Sequence, residues 1–313
     1  MTIHTHVDVP TQFIEAGGIR FAYRRFGAAT GVPLLFLQHF RGGMDHWDPL
    51  LTDGLGRDRP VILFHNAGVA ASGGETPRTF EAMAEHVAAF VAAMGLQTVD
   101  VLGFSIGGFV AQALTLAHPK LVRRLILAGT GPRGGVPGSD ARVGPAATHD
   151  VPTIDDFLLL FFSPSAESQA AGRAFYDRRQ QRTADVDPPS SQAAMLAQLD
   201  ALADWGQARP ALFADLRQIG QPTLVVNGSN DIMVPTINSW HLAQAIPNAQ
   251  LIIYPDAGHG SQYQYPERFL AHARSFLDSE DPAGVAPLAG SVTAALSSGQ
   301  PSAEAAGSWP PAH

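Results

Sequence analysis

Short apolar runs recur along the chain and alternate with segments in which apolar residues are spaced three or four positions apart. The runs end in polar residues or glycine, and they lie at residues 33–40, 60–68, 98–105, 122–130, 222–229 and 249–258. Continuous apolar runs of this length are typical of strands covered on both faces of a sheet. Residues 13–27, interrupted by Gly17 and Gly18, predict a β-hairpin before the first run.

Helical spacing is clearest between the second and third apolar runs. Thr76 and Pro77 are a start signal for this helix, and Gly95 is a stop signal. Further helices are predicted at residues 106–117, 236–246 and 266–279. Strands that alternate with helices in this way favour an α/β fold, with a mostly parallel sheet flanked by helices.

Two stretches depart from this alternation. Residues 131–220 lack a strand pattern but contain helix-like segments such as TIDDFLLLFFS. They predict a helical insertion, because a structureless loop of that length is improbable in a compact domain. Residues 280–313 are dominated by Ala, Gly, Ser and Pro and predict a disordered tail. The predicted sheet domain therefore comprises residues 12–130 and 221–279.

Charge and composition limit the classes of molecule that the protein is expected to bind. The 313 residues include 20 Lys and Arg, 28 Asp and Glu and no cysteine, which gives a formal net charge of −8. This balance offers no basic surface for nucleic acid or anionic lipid, and it excludes cysteine-bound zinc and disulfides. No signal peptide pattern and no run approaching the roughly 20 residues of a membrane span is present. We expect a cytoplasmic protein with a small-molecule partner, and we leave a homodimer open.

One Gly-x-Ser-x-Gly motif lies where a strand pattern becomes a helix pattern, with Ser105 at its centre. Such a junction forces Ser105 into a sharp turn, and Gly103 and Gly107 avoid collisions with the neighbouring strand and helix. The free N–H groups at the start of the following helix then point to where an oxyanion would form. The bare motif is weak evidence in a chain with 31 glycines, and its strand-to-helix setting makes it much stronger.

A serine nucleophile needs a base, and the base needs an orienting acid. Among the 12 histidines, His259 follows the last predicted strand, in a loop bracketed by glycines. It is therefore expected at the same edge of the sheet as Ser105. Asp231 follows another strand, in a loop closed by Pro235. Asp256 is three residues from His259, and we interpret it as a turn residue while keeping it as the alternative acid.

Three motifs in the chain order Ser, Asp, His resemble those of the α/β-hydrolase fold family. They read Gly-Phe-Ser-Ile-Gly-Gly, NGSND and DAGHG, and the resemblance covers about residues 12–279. Within that fold the chain is most similar to cofactor-free esterases, haloperoxidases and lactonases. The resemblance implies an eight-stranded, mostly parallel sheet, with residues 131–220 inserted after the sixth strand as a helical cap over the site. It also implies a catalytic triad of Ser105, Asp231 and His259, with no metal or organic cofactor required.

One loop departs from the family's pattern. After the third strand many members read His-Gly-aromatic-Pro-Gly, whereas residues 38–42 here read Gln-His-Phe-Arg-Gly. By this alignment the backbone N–H of Phe40 would join that of Ile106 to form the oxyanion hole. His39 places bulk near the site where many members have glycine.

Side chains from this loop, the cap and the loop after Asp231 are expected to line the substrate pocket. We predict a pocket formed by His39, Arg41, Phe161, Met233 and Trp240. Two alternatives are open: Arg41 pairs with Asp45 or Asp48 of its own loop, and the apolar segment at 157–162 is the buried seam of the cap.

These residues predict a serine hydrolase that cleaves a carboxylic ester or lactone of a small to medium, partly apolar substrate through an acyl-enzyme. A serine at position 105 argues against epoxide hydrolase and haloalkane dehalogenase chemistry, which needs a carboxylate nucleophile in this fold. Two alternatives remain. The same triad could serve perhydrolysis of the haloperoxidase type or carbon–carbon bond hydrolysis, or the chain could be a ligand-binding receptor on the same fold.

Overall fold

The computed structural model describes residues 4–279, and the tail predicted at 280–313 lies outside the described residues. One eight-stranded sheet runs through the described part, in the order β1-β2-β4-β3-β5-β6-β7-β8. The strand β2 is antiparallel to both of its neighbours, and every other adjacent pair is parallel. The predicted mostly parallel sheet is therefore confirmed. Its strands are β1 (Gln12–Ala16), β2 (Ile19–Gly27), β3 (Leu34–Leu37), β4 (Pro60–Phe64), β5 (Val99–Phe104), β6 (Val122–Ala128), β7 (Thr223–Gly228) and β8 (Ala249–Tyr254).

Helices cover both faces of this sheet. They are α1 (Pro49–Gly56), α2 (Phe80–Ala93), α3 (Ile106–Ala117), α4 (Val143–Thr148), α5 (Ile154–Phe161), α6 (Ala166–Arg179), α7 (Gln192–Trp205), α8 (Ile237–Ala245), α9 (Ser261–Gln264) and α10 (Pro266–Asp278), with short 3-10 turns at Met44–His46 and Asp215–Gln218. None of the helices in residues 4–279 has the length and apolar character needed to cross a membrane.

The two faces of the sheet bury separate hydrophobic clusters. In β3, Leu34 and Phe36 belong to one cluster, whereas Leu35 and Leu37 belong to the other. All four side chains are at most 1% exposed. Strand side chains point to alternate faces, so a continuous apolar run fills both layers at once.

The structure differs from the predicted helices in two places: the start of α2 and the presence of α1. Helix α2 begins at Phe80 and is capped by the Thr79 side chain, which accepts from Ala82 N–H, instead of starting at Thr76 and Pro77. Helix α1 was not predicted, because its eight residues include two glycines, which are poor helix formers. Tertiary packing compensates for this low helix propensity, because the Leu270 side chain of α10 packs directly against Gly54: an added Cβ there would lie 2.7 Å from the Leu270 methyl groups.

The insertion between β6 and β7 is helical, as predicted, and it carries α4, α5, α6 and α7. Its side chains pack on the sheet domain through aromatic rings, with Phe161 at 5.8 Å from Phe104 between ring centroids. Phe157 and Phe161 share a buried cluster with Phe36 and Phe104. The cap is therefore built onto the same hydrophobic layer as one face of the sheet.

A buried ion network ties the segment before α7 to the sheet. The Arg24 side chain of β2 is fully enclosed, and its guanidinium contacts Asp45 at 2.5 Å and Asp187 at 2.8 Å. The two aspartates also accept each other's backbone N–H groups, at 2.8 and 2.6 Å. Buried ion pairs of this kind fix the positions of the segments that carry them, because the charged side chains are hydrogen-bonded to each other.

Candidate active site

Ser105 occupies a strained turn between β5 and α3. Its backbone angles are φ 56° and ψ −121°, a backbone conformation that residues other than glycine rarely adopt outside functional turns. A Cβ on Gly103 would lie 2.4 Å from the Gly107 carbonyl oxygen, and a Cβ on Gly107 would lie 2.0 Å from that of Leu37. The first glycine thus lets helix α3 approach β5, and the second lets it approach β3, as the motif predicts.

His259 and Asp231 form a fully enclosed pair. The His259 Nδ1 lies 2.8 Å from Asp231 Oδ2, and both side chains have no exposed area. The other carboxylate oxygen of Asp231 accepts the N–H groups of Met233 and Val234, each at 2.9 Å. Because a carboxylate oxygen accepts hydrogen bonds, the His259 Nδ1 carries the proton of this bond, and Nε2 keeps its lone pair. Within residues 4–279, this buried Nε2 has no hydrogen-bond partner.

The two loops that supply this pair meet because glycines allow it. A Cβ on Gly228, at the end of β7, would lie 2.1 Å from the carbonyl oxygen of Ala257. Gly258 and Gly260 bracket His259 and let the end of α5 approach, and Gly260 N–H donates to the Phe161 carbonyl at 2.8 Å. The Phe161 ring then stacks on the His259 imidazole at 5.6 Å between centroids. The glycine bracket seen in the sequence is therefore a docking point for the cap.

The Asp256 carboxylate does not bind His259 but contacts Ser165 of the cap. Its carboxylate accepts from the Ser165 hydroxyl at 2.5 Å, at the start of α6. Its backbone takes a positive φ of 47°, which fits the turn role expected for it. The imidazole of His259 instead bonds to Asp231.

One cavity of about 270 Å³ contains both Ser105 and His259. Its walls come from the sheet domain and from the cap, so the insertion covers the predicted site. Most of its lining is apolar or aromatic, with Ala146, Phe157, Leu160 and Phe161 from the cap, and His39, Phe40, His46 and Met233 from the sheet domain.

The loop after β3 is held by side-chain bonds that leave one N–H unused. His39 N–H donates to Gln38 Oε1 at 2.7 Å, and Arg41 N–H donates to Gln198 Oε1 of α7 at 2.8 Å. The Phe40 N–H between them donates to no other group in the described part of the chain. Ile106 is the first residue of α3, where an N–H has no acceptor within the helix. These two N–H groups are the predicted oxyanion donors.

Two histidines of the cavity, His39 and His46, are neutral. Burial lowers the pKa of His39 to about 3, and its Nδ1 donates to the Phe40 carbonyl at 2.8 Å. Burial also lowers the pKa of His46 well below its ordinary value. His46 was not predicted as a lining residue; its only sequence signal is its position a few residues beyond Phe40. Both imidazoles therefore add polar edges, without charge, to an apolar cavity.

Arg41 binds neither acidic residue of its own loop. Its guanidinium donates to the carbonyl oxygens of Ala147, His149 and Asp150, at 3.3, 2.7 and 3.2 Å. Asp45 instead pairs with Arg24, and Asp48 pairs with Arg178 of α6. Arg41 lines the cavity, as predicted, while it fastens the segment after α4 to the sheet domain. Backbone carbonyls more than 100 residues away leave no signal in a sequence.

Phe161 and Met233 line the cavity as expected, but Trp240 does not. Helix α8 turns Asn238, Ser239 and Leu242 inward, which places Trp240 on the outer face with half of its area exposed. The prediction for Trp240 is wrong because closeness in sequence to Asp231 does not set the phase of the helix. Within residues 4–279, no group of three or more His, Asp or Glu side chains is arranged to hold a metal.

Comparison with known proteins extends these observations. Residues 32–266 match the family model described as alpha/beta hydrolase fold, a range that contains Ser105, Asp231 and His259. An alpha/beta hydrolase fold protein from Chitinophaga pinensis superposes with a TM-score of 0.81 at 40% identity, covering 88% of this chain and 100% of its own. A 2-hydroxymuconate semialdehyde hydrolase of Pseudomonas putida is 32% identical over 211 residues, 63% of this chain and 68% of that protein. Est816, described as an N-acyl homoserine lactone degrading enzyme, superposes with a TM-score of 0.64 at 27% identity, covering 85% of this chain and 100% of its own.

Proposed function

The chain belongs to the alpha/beta hydrolase fold family, and on this basis we propose that it is a serine hydrolase that cleaves a carboxylic ester or lactone. The observation that carries the proposal is the enclosed Asp231–His259 pair, since His259 and Ser105 line the same cavity and His259 Nε2 has no hydrogen-bond partner among residues 4–279. A base oriented by a carboxylate, in the same cavity as a strained serine, supports acyl transfer.

In the proposed mechanism, Ser105 Oγ attacks the carbonyl carbon while His259 Nε2 takes its proton. Asp231 stabilises the imidazolium through Nδ1, and the N–H groups of Phe40 and Ile106 bind the developing oxyanion. The imidazolium then protonates the leaving alkoxide, which leaves an acyl group on Ser105. Water, activated by the same imidazole, hydrolyses that ester and returns the proton to serine.

The cavity supports a compact, partly apolar substrate. Its volume of about 270 Å³ lies just below the usual range of about 300–1,000 Å³ for small-molecule sites. Aromatic rings of Phe157 and Phe161 form much of the cap side, and the only ionised side chain on the sheet-domain side, Arg41, is occupied by three carbonyl groups. The lactone-degrading neighbour is consistent with this size and polarity.

A second candidate is hydrolysis of a carbon–carbon bond next to a ketone. It is favoured by the relative from Pseudomonas putida that is named a 2-hydroxymuconate semialdehyde hydrolase. The same serine, base and N–H donors would serve either reaction, so the substrate decides between them.

The test compares four proteins on a panel of para-nitrophenyl esters and lactones, with 2-hydroxymuconate semialdehyde as the carbon–carbon substrate. We expect wild type to turn over at least one ester or lactone, and Ser105→Ala and His259→Ala to lose about 10³-fold or more in kcat. Asp256→Asn is the matched control, since it changes a carboxylate three residues from His259 and should retain activity. Equal turnover by all four proteins would exclude the mechanism. Turnover of the semialdehyde alone would favour the second candidate.

A further inference from the structure

The loop after β3 carries an imidazole that the proposed mechanism does not use. His39 lines the cavity that contains Ser105 and His259. Its ring lies 5.2 Å from the Phe161 ring and 5.6 Å from the Phe104 ring, between centroids. The same two rings contact the His259 imidazole. His39 is therefore close to the proposed catalytic base, although no hydrogen bond joins the two imidazoles in the described part of the chain.

The contacts of His39 fix which of its nitrogens carries the hydrogen. Nδ1 lies 2.8 Å from the Phe40 carbonyl oxygen, which can only accept, so Nδ1 is the donor. Burial lowers the pKa of His39 to about 3, which leaves the ring neutral near pH 7. A neutral imidazole has a single N–H, so Nε2 carries a lone pair and acts as an acceptor.

A ligand in the cavity can reach this acceptor. Within residues 4–279, His39 Nε2 has no hydrogen-bond partner, and it is not among the fully enclosed side-chain atoms that lack one. It therefore keeps accessible area, and His39 is 7% exposed in total. Because His39 lines the Ser105 cavity, a ligand bound there replaces the solvent at this nitrogen.

The neighbouring polar side chains on the same wall offer no second acceptor of this kind. The His46 Nδ1 accepts the Gly43 N–H at 3.0 Å, so the neutral His46 ring presents an N–H at Nε2. The Arg41 guanidinium can only donate, and three carbonyl oxygens already occupy it. On the sheet-domain side of the cavity, His39 Nε2 is thus the nitrogen acceptor that remains besides the proposed base.

The position of His39 indicates which part of a substrate it meets. His39 directly precedes Phe40, whose N–H is a proposed oxyanion donor, and its ring bonds to the carbonyl of the same residue. A lone pair beside the oxyanion position repels a carbonyl oxygen and attracts a hydrogen-bond donor. A substituent on the carbon next to the scissile carbonyl is the part of the substrate closest to that oxygen.

We propose that His39 is a specificity-determining residue, and that the substrate is an ester or lactone with a hydroxyl group on the carbon next to the scissile carbonyl. The hydroxyl donates its hydrogen bond to His39 Nε2. This inference rests on the proposed hydrolase function and names its substrate class. An analogue without a donor leaves the nitrogen unpaired in an apolar cavity, and sites built for a hydroxyl discriminate strongly against such analogues.

The test uses two matched sets of substrates. One set is γ-butyrolactone with hydrogen, hydroxyl or methoxy on the carbon next to the carbonyl, and the other is ethyl acetate, ethyl glycolate and ethyl methoxyacetate. Methoxy withdraws electrons as hydroxyl does but has no hydrogen to donate, so the hydroxyl-to-methoxy ratio of kcat/KM measures the hydrogen bond. We expect a ratio of about five or more for wild type in at least one set. The ratio should stay constant between about pH 6 and 8, because His39 does not titrate there.

Two variants separate this hydrogen bond from differences in substrate size. His39→Phe keeps a planar ring without the acceptor, and its ratio should fall to about one. His39→Gly introduces the residue that many family members carry there, and it should lose the preference as well, which decides the matter if His39→Phe does not fold. His241→Phe is the matched control with an unchanged ratio, since His241 packs against Phe213 and does not line the cavity.

The proposal is overturned by equal kcat/KM for the hydroxyl and methoxy compounds in both sets, or by a preference that persists in His39→Phe and His39→Gly. It is also overturned if wild type cleaves para-nitrophenyl esters but none of these six compounds. A wild-type protein that cleaves no ester or lactone at all would instead overturn the proposed hydrolase function.

Discussion

Helix α3 approaches β3 so closely at Gly107 that an added methyl group would lie 2.0 Å from the carbonyl oxygen of Leu37. Gln38 follows Leu37 directly and Phe40 lies three residues after Leu37, so this contact sets the spacing between the two predicted oxyanion donors, the N–H groups of Phe40 and Ile106. The close approach thus connects a packing requirement to the proposed chemistry.

Gly107→Ala should therefore lower ester hydrolysis by about 10²-fold or more, because α3 must move and take the Ile106 N–H with it. The free energy of unfolding should fall by about 1–3 kcal/mol from the overpacked contact. Steady-state kinetics and urea unfolding measure both effects. Gly144→Ala in α4 is the control, since a Cβ there meets nothing within 4 Å. Wild-type activity in Gly107→Ala would show that this spacing does not matter.

Asp231→Asn should lower kcat by about 10³- to 10⁴-fold with little change in KM. The asparagine oxygen can keep the N–H bonds of Met233 and Val234, which turns its NH₂ group toward His259 Nδ1. The proton of the imidazole then moves to Nε2, which can no longer accept one from Ser105. Asp256→Asn should behave as wild type in the same assay. A similar loss of kcat in both variants would show that Asp231 is not the residue that specifically orients His259.

Arg24→Met should lower the free energy of unfolding by about 3–5 kcal/mol, because the buried Asp45 and Asp187 carboxylates would lose the guanidinium that pairs with both of them. Chemical denaturation measures this change. Arg25→Met on the same strand is the matched control, since that side chain is exposed and the variant should stay near wild type. Equal stability of the two variants would show that the buried network adds nothing.

Stability should fall as the pH is lowered from about 6.5 toward 3. Burial lowers the pKa of His6 to about 3, so the unfolded chain binds a proton in this window and the folded chain does not. Each such histidine contributes a slope of up to about 1.4 kcal/mol per pH unit, and His39 adds to it. His6→Phe should flatten the pH dependence of the unfolding free energy.

The control for that experiment is Thr52→Val, which removes the 2.9 Å partner of His6 Nδ1 but keeps the imidazole. It should lower stability at every pH while retaining the slope. If His6→Phe keeps the full wild-type slope, then the buried imidazole is not the group that titrates.

Local patterns predicted much of the fold. The apolar runs became buried strands because a run that is apolar on both faces can only be satisfied between two layers of helix. The order of strands and helices then placed Ser105, Asp231 and His259 after β5, β7 and β8, at the edge where parallel strands end. The helical cap followed from helix-like segments in a stretch too long to be a loop.

Other features depend on contacts that no local pattern encodes. Trp240 faces away from the cavity because the packing of α8 sets the helix phase, and Arg41 binds cap carbonyls that any residue type would offer. Helix α1 contains two glycines, and one of them, Gly54, packs against the Leu270 side chain of α10, a contact that no local pattern indicates.

The sequence by itself determined the α/β architecture, the turn at Ser105 and the residues that we propose for acyl transfer, because periodicity and glycine placement act over a few neighbouring positions. Only the tertiary structure decided which carboxylate meets His259, which side chains line the cavity, and which nitrogen of His39 is the acceptor. Those outcomes depend on the distances between segments far apart in the chain, which are set when the layers pack together.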